Sequence, residues 1–124
     1  MRGNRSQEGQ STVELALLLP FIVALSLTLV QLALVVRAQI LVVHTAREGA
    51  RVAAVGGAGP QVRQSATMAS GLDPTRMRLE INHPGPSLVR VRVVYRVPIR
   101  IPLIGAFSDG VDVSSSAIMM MEGP

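Results

Sequence analysis

The chain contains no cysteine, and that absence removes several kinds of chemistry at once. Without it no disulfide, thiolate zinc site or cysteine nucleophile can form. Histidine does not take over the metal-binding role, because His44 and His83 lie far apart and neither has a second ligand at metal-binding spacing. We therefore expect no metal and no cofactor.

Lysine is also absent and aromatic residues are few, which bears on nucleic-acid binding. The 12 basic residues are all arginines, 8 residues are acidic, and the formal net charge is only +4. Two phenylalanines and one tyrosine give no stacking platform for single strands. The sequence predicts no nucleic-acid partner, and 124 residues leave room for one small domain beside any membrane segment.

Motifs for catalysis are missing as well. Serines 114–116 have neither a G-x-S-x-G context nor an accompanying base. Glycines 56, 57 and 59 lack the lysine and the following Ser or Thr of a phosphate-binding loop. We expect that the protein is not an enzyme.

What the chain does have is a long apolar run. Residues 15–36 carry no formal charge, and their only polar side chains are Ser26, Thr28 and Gln31. As a helix this run is roughly 33 Å long, enough to cross a bilayer. It is longer than the apolar part of a cleaved secretory signal, which has about 7–15 residues. Arg2 and Arg5 precede it and favour a cytoplasmic N-terminus, with the rest of the chain outside.

The helical pattern extends past the apolar run in both directions. It predicts one helix from about Thr12 to Val55, ended by glycines 56 and 57. Pro20 lies inside this helix, removes a backbone hydrogen bond and predicts a kink. The kink is either a bend shaped for packing against other subunits or a neutral interruption.

The remainder changes from helical to alternating periodicity. Residues 61–70 are predicted to form a short helix, and three strands are predicted over 76–82, 89–97 and 111–121, with a turn at 83–86. Pro98, Pro102 and Gly105 interrupt the apolar stretch of residues 99–104 too much for a central strand. An antiparallel sheet with one apolar face must bury that face against another element. We expect the amphipathic end of the long helix to pack on it. The expected fold class is α+β.

A row of arginines follows from the same alternation. Arg90, Arg92 and Arg96 share the face of the second strand opposite its valines. Such a row is either a solvated surface or a contact for an acidic or phosphate-bearing partner.

The segment before the apolar run allows two interpretations. In the first, Ser11 caps the helix and Glu14, three residues later, bonds back to its amide as a capping box. That explanation leaves Gly9 and the short basic leader unexplained. It also leaves unexplained why an isolated carboxylate stands at the edge of a membrane-length segment, where burial is costly.

In the second interpretation, this segment resembles the cleavage region of type IV pilin-like proteins. In that superfamily a prepilin peptidase cuts after a glycine, and a glutamate is the fifth residue of the mature chain. Counted from Gln10, Glu14 is fifth. The resemblance implies cleavage between Gly9 and Gln10. The new amine of Gln10 would pair with Glu14 of a neighbouring subunit and so set the axial register.

Within that superfamily the chain is most similar to the TadE-like minor pseudopilins of the tight-adherence (Tad/Flp) pilus machinery. The similar stretches are residues 10–14, 17–20 and 45–51, the valine-rich strand leading to Pro98, the Leu103-Ile104 link, and a closing strand of serine and alanine. Two residues depart from related patterns. Leu15 stands where the short major subunit has tyrosine, and Gln10 stands at the first mature position, where classical pilins commonly have the phenylalanine that is N-methylated.

The resemblance implies a division of the chain and a function. Residues 1–9 would be a cytoplasmic leader, 10–36 the transmembrane helix, and 37–124 a pilin-like domain outside the cytoplasmic (inner) membrane. Implied partners are the membrane, prepilin peptidase, other pilins or pseudopilins, and inner-membrane pilus assembly proteins. The alternative is an uncleaved single-pass protein, whose external domain binds an envelope partner through the arginine row.

Overall fold

The computed structural model describes the backbone of residues 4–123 and the side chains of residues 7–123. It shows one long helix, one short helix and a three-stranded antiparallel sheet, which confirms the predicted α+β fold. The elements are α1 (Asn4–Ala54), α2 (Gly59–Ser70), a 3₁₀ turn (Pro74–Arg76), β1 (Met77–Gly85), β2 (Leu88–Val97) and β3 (Val111–Met120).

Helix α1 begins earlier than predicted and dominates the molecule. Its 51 residues make a rod of roughly 77 Å. It already includes Asn4, so the predicted start at Thr12 is wrong, as is the capping box at Ser11. The Ser11 hydroxyl instead donates to the carbonyl of Gln7 at 3.1 Å, one turn back inside the helix. No residue between Asn4 and Thr12 is a strong enough helix breaker to delay the start of α1 until Thr12. Arg2 and the Arg5 side chain lie outside the described residues.

The sheet has the order β1-β2-β3, and its middle strand is β2. Leu79 of β1 is paired with Val93, and Val91 is paired with Ala117 of β3. The turn predicted at 83–86 is displaced. β1 continues to Gly85, and a register irregularity between Asn82 and Gly85 accommodates the intervening residues. β1 is an edge strand, where proline is tolerated because one row of amides faces away from the sheet.

The second half of α1 covers the sheet, as predicted. Its inner face is made of small residues, and Ala46, Ala50 and Val42 have no solvent exposure. Small side chains allow the helix to approach the sheet closely. At Gly49 an added methyl would lie only 3.1 Å from Val91 Cγ1. The sheet contributes the alternate residues of β2 to this core, namely Val89, Val91, Val93, Tyr95 and Val97.

Helix α2 and the C-terminal tail complete the domain around the end of α1. Val62 and Ala66 of α2 are fully buried in the same core. Gly71 ends α2 in the left-handed conformation, with φ +61°, which glycine adopts without the steric penalty of a side chain. The Glu122 amide donates to the carbonyl of Ala54 at 3.0 Å, so the tail satisfies one of the last carbonyls of α1.

Candidate functional site

Gly9 lies on an exposed part of α1 where the fold gives no reason for a glycine. A methyl group added there would meet no heavy atom of the described residues within 4 Å. Glycine inside a helix costs about 0.5–1 kcal/mol relative to alanine. The same helix uses Gly49 for close packing, and Gly9 has no such neighbour.

The hydroxyl groups near and within the apolar run are satisfied by their own helix. Thr12 donates to the carbonyl of Glu8 at 2.9 Å. Ser26 and Thr28 each donate to the carbonyl four residues earlier at 2.8 Å. Polar groups that bond within the segment can lie in lipid without loss of a hydrogen bond.

Glu14 differs from those hydroxyls. Its side chain is exposed, and among the described side chains it has neither an ion-pair nor a hydrogen-bond partner. Gln10 is four residues earlier, so the two residues lie on the same helical face, roughly 6 Å apart along the axis. Within the described part of the chain, no other side chain occupies the Glu14 carboxylate.

Pro20 is enclosed by helix on both sides. Its ring nitrogen cannot donate to the carbonyl of Ala16, and the helix continues through the position. The side chains around it are exposed, including Phe21 at 73%. The kink, and its role in packing against other subunits, stays a prediction.

The apolar run is exposed over its first two-thirds. Residues 15–30 are all exposed, and only 6% of the most apolar window of α1 is buried. Within the described residues, α1 is the one helix long and apolar enough to cross a membrane. An exposed apolar surface of this size is unfavourable in water, which suggests that the run is a membrane anchor.

Gln31, near the outer end of the run, makes contacts that sequence reasoning missed. Its Nε2 donates to the Pro98 carbonyl at 3.1 Å, and its Oε1 accepts from the Arg100 amide at 3.0 Å. Both partners belong to the segment between β2 and β3, about seventy residues further along the chain. The only sequence signal was a lone amide in an otherwise apolar segment.

The three arginines of the row on β2 differ in their contacts. Arg96 donates from Nε to Asp112 Oδ1 at 3.0 Å. This hydrogen bond, with the attraction between the two charges, holds the pKa of the Asp112 carboxyl below its ordinary value. Arg96 is therefore engaged within the sheet and less available to a partner.

The other two arginines border a shallow polar recess. Arg90 and Arg92 line it together with serines 114–116 of β3. Arg92 is also paired across the sheet with Glu80 of β1. Among the described residues no group of three or more His, Cys, Asp or Glu side chains is placed to hold a metal ion.

Comparison with known proteins addresses the N-terminal part of the chain. The family model for TadE-like protein matches residues 9–51, about a third of the chain. The match begins at Gly9 and ends at Arg51, which forms an ion pair with Glu48 at 2.8 Å near the end of α1. It confirms the resemblance stated from the sequence over these residues. No curated protein and no solved structure matches the chain.

Proposed function

We propose that this chain, a TadE-like protein by the match over residues 9–51, is a minor pseudopilin of a Tad/Flp-type pilus or a related secretion apparatus. Prepilin peptidase would remove the nine-residue leader. The processed chain would then take part in assembly as a non-enzymatic subunit. Its partners would be other pilins or pseudopilins and the assembly proteins of the inner membrane.

The observation that carries this proposal is the unexplained glycine. Gly9 is exposed in a helix, and neither packing nor backbone conformation requires glycine there. A peptidase that needs a small residue at the cut supplies the missing reason. The glycine also stands at the correct distance before Glu14 and the exposed apolar run.

The chemistry of the mature terminus explains the role of Glu14. Cleavage leaves a protonated amine on Gln10 at neutral pH. An unpaired carboxylate at a lipid boundary is costly, and pairing with a cation reduces that cost. The amine of an adjacent subunit is such a cation, and the pair would fix how far neighbouring helices are shifted along their axes.

The position in the membrane follows from the same helix. Residues 10–36 would span the inner membrane, with the N-terminus in the cytoplasm and the domain of residues 37–124 outside. The internally bonded hydroxyls and exposed apolar side chains of α1 support the span. The orientation rests on the arginines of the leader.

Co-expression with a prepilin peptidase tests the processing step. We expect the wild-type chain to lose nine residues and a Gly9→Leu variant to keep them. Glu8→Leu is the matched control, because it places the same side chain at the neighbouring exposed position of α1. Equal processing of Gly9→Leu and the wild type, measured by intact mass, would reject cleavage at this site.

The second candidate function is an uncleaved, membrane-anchored binding module. The recess formed by Arg90, Arg92 and the β3 serines favours it, because two guanidinium groups and several hydroxyls suit an anionic partner. This candidate requires that the leader remain on the mature protein. The processing experiment therefore separates the two functions.

A further inference from the structure

The connection between β2 and β3, residues 98–110, is fixed to the apolar part of α1. We refer to it as the β2–β3 loop. Gln31 holds it through two hydrogen bonds, to the Pro98 carbonyl at 3.1 Å and from the Arg100 amide at 3.0 Å. Backbone bonds within the loop shape its tip, including Gly105 to Ile101 at 3.0 Å. The loop is thus a folded element, anchored beside the membrane-length helix.

The tip of the β2–β3 loop exposes large apolar side chains. Phe107 is 90% exposed and Leu103 is 82% exposed, beside Ile104 at 51%. Leu103 also has φ +76°, a conformation that is rare and costly for a bulky residue. Apolar side chains held outward at a conformational cost indicate a contact with an apolar environment outside the domain.

The depth of Gln31 identifies that environment. A hydrocarbon core of about 30 Å needs about 20 helical residues. Within the proposed transmembrane helix of residues 10–36, the hydrocarbon part begins at Leu15, directly after the Glu14 carboxylate, and so ends near Leu34. Gln31 then lies roughly 5 Å inside the outer boundary. Leu34 and Val35 already pack partly against the domain core. The end of the domain that carries the β2–β3 loop is therefore at the level of the lipid.

We propose that the β2–β3 loop is a second membrane contact, which inserts Leu103 and Phe107 into the outer leaflet beside α1. Interfacial elements of this kind bury apolar side chains about 5–10 Å deep. The Arg100 side chain is exposed and long enough to reach lipid phosphates from such a depth. The inference rests on the membrane span in the proposed function and does not depend on cleavage or on pilus assembly.

The Gln31 contacts also explain how the β2–β3 loop tolerates this position. A glutamine side chain in a membrane helix needs partners for its carbonyl and its amide, and backbone groups at membrane depth need them as well. Here the Gln31 side-chain amide donates to the Pro98 carbonyl, and the Gln31 side-chain carbonyl accepts from the Arg100 amide. Two contacts with the membrane would restrict the tilt and rotation of the domain relative to the bilayer.

The absence of tryptophan from the chain allows a direct test in the full-length protein. Phe107→Trp places the single tryptophan of the variant at the tip of the β2–β3 loop, where its emission is excited selectively beside that of Tyr95. Phe21→Trp, in the exposed apolar run, is the positive control. Met68→Trp, at an apolar position of α2 that is 79% exposed, is the negative control. Each variant is reconstituted in phosphatidylcholine vesicles with and without lipids brominated on the acyl chain.

We expect blue-shifted emission and strong quenching by brominated lipid for Phe107→Trp, several-fold greater than for Met68→Trp. Bromines near the headgroup should quench it better than bromines near the chain end. Quenching of Phe21→Trp without quenching of Phe107→Trp would overturn the loop contact and leave the membrane span intact. A blue shift without quenching would assign the loop tip to a protein neighbour, such as a second copy, and would also overturn the proposal.

Discussion

Two glycines in α1 have opposite surroundings. One is packed against the domain, and the other has no packing neighbour among the described residues. Gly49 faces the sheet, where an added methyl lies 3.1 Å from Val91 Cγ1, whereas Gly9 faces open space. At the first position, even a methyl group would be in tight contact with the sheet. The second glycine is costly to the helix, and the cleavage that we propose would explain its presence.

We predict that Gly49→Val destabilises the external domain by about 1–3 kcal/mol, because extra methyl groups would overpack the helix–sheet contact. Gly9→Val is the matched control, since it makes the same replacement in the same helix without a clash. Thermal unfolding of the full chain in mild detergent measures both. An unchanged melting temperature for Gly49→Val would contradict the packing described here.

The ion pair of Arg96 with Asp112 gives a pH-dependent prediction. The pKa of Asp112 is lower in the folded chain than its unfolded value of about 3.9, so the pair stabilises the fold above that pH. The stabilisation is lost as the pH falls through the folded pKa. We expect Asp112→Asn to lower the melting temperature slightly at neutral pH and to have no effect at a pH below the pKa of Asp112. A difference that persists unchanged into strong acid would exclude this pair as its source.

Several residue positions were predictable because strand alternation is a strong signal. The apolar face of β2 and the opposite arginine row follow directly from the period of two. The partner of Arg96 was not predictable, because the register of β2 against β3 decides it. The Ser11 cap failed because a hydroxyl inside a helix can bond to its own preceding turn just as readily.

At the level of elements, Gln31 of α1 makes both of the side-chain hydrogen bonds that join the β2–β3 loop to the helix within the described residues. Gln31→Leu removes both hydrogen bonds to the loop and makes the apolar run more hydrophobic, so membrane insertion is retained. We predict faster hydrogen exchange at the Arg100 amide, because that amide loses its acceptor. The measurement is hydrogen–deuterium exchange by mass spectrometry on reconstituted protein.

Gln39→Leu is the matched control for this exchange experiment. Gln39 donates to the Ser114 carbonyl at 3.3 Å, a longer contact with β3 rather than with the loop. We expect residues 98–110 to exchange at the wild-type rate in this variant. Similar exchange of the loop in Gln31→Leu and Gln39→Leu would show that Gln31 does not hold it.

Most elements were predicted from the periodicity of the sequence, but the residues at which they begin and end were harder to predict. The change from helical to alternating pattern located all three strands, and the short helix predicted over residues 61–70 lies within α2. The first turns of α1 were missed because their residues are polar and neither favour nor break a helix strongly. The β1–β2 turn was misplaced because the sheet pairs beyond Pro84, at an edge that tolerates proline.

At the scale of the whole molecule, α1 divides into two halves with different environments. The first half exposes leucine, isoleucine and phenylalanine, and the second half buries alanine and valine against the sheet. The protein therefore needs an apolar environment along one half and water around the other. Glu14 lies just before the apolar residues of the exposed half, and its side chain is exposed.

We predict that Glu14→Gln is inserted and processed normally but is lost from assembled pilus fractions of its host, because the neutral side chain no longer attracts the amine of a neighbour. Glu8→Gln is the control. It makes the same change in the leader, which processing removes, and it should assemble as the wild type does. Incorporation of Glu14→Gln at the wild-type level, measured by quantitative immunoblotting of sheared filaments, would remove the register role of Glu14.

Cleavage after Gly9 is tested by the intact mass of the protein purified from the membranes of its own host. We expect a chain that begins at Gln10 and lacks Met1 to Gly9. A mature protein that retains Met1 to Gly9 would contradict processing as a pseudopilin and would favour the uncleaved binding module.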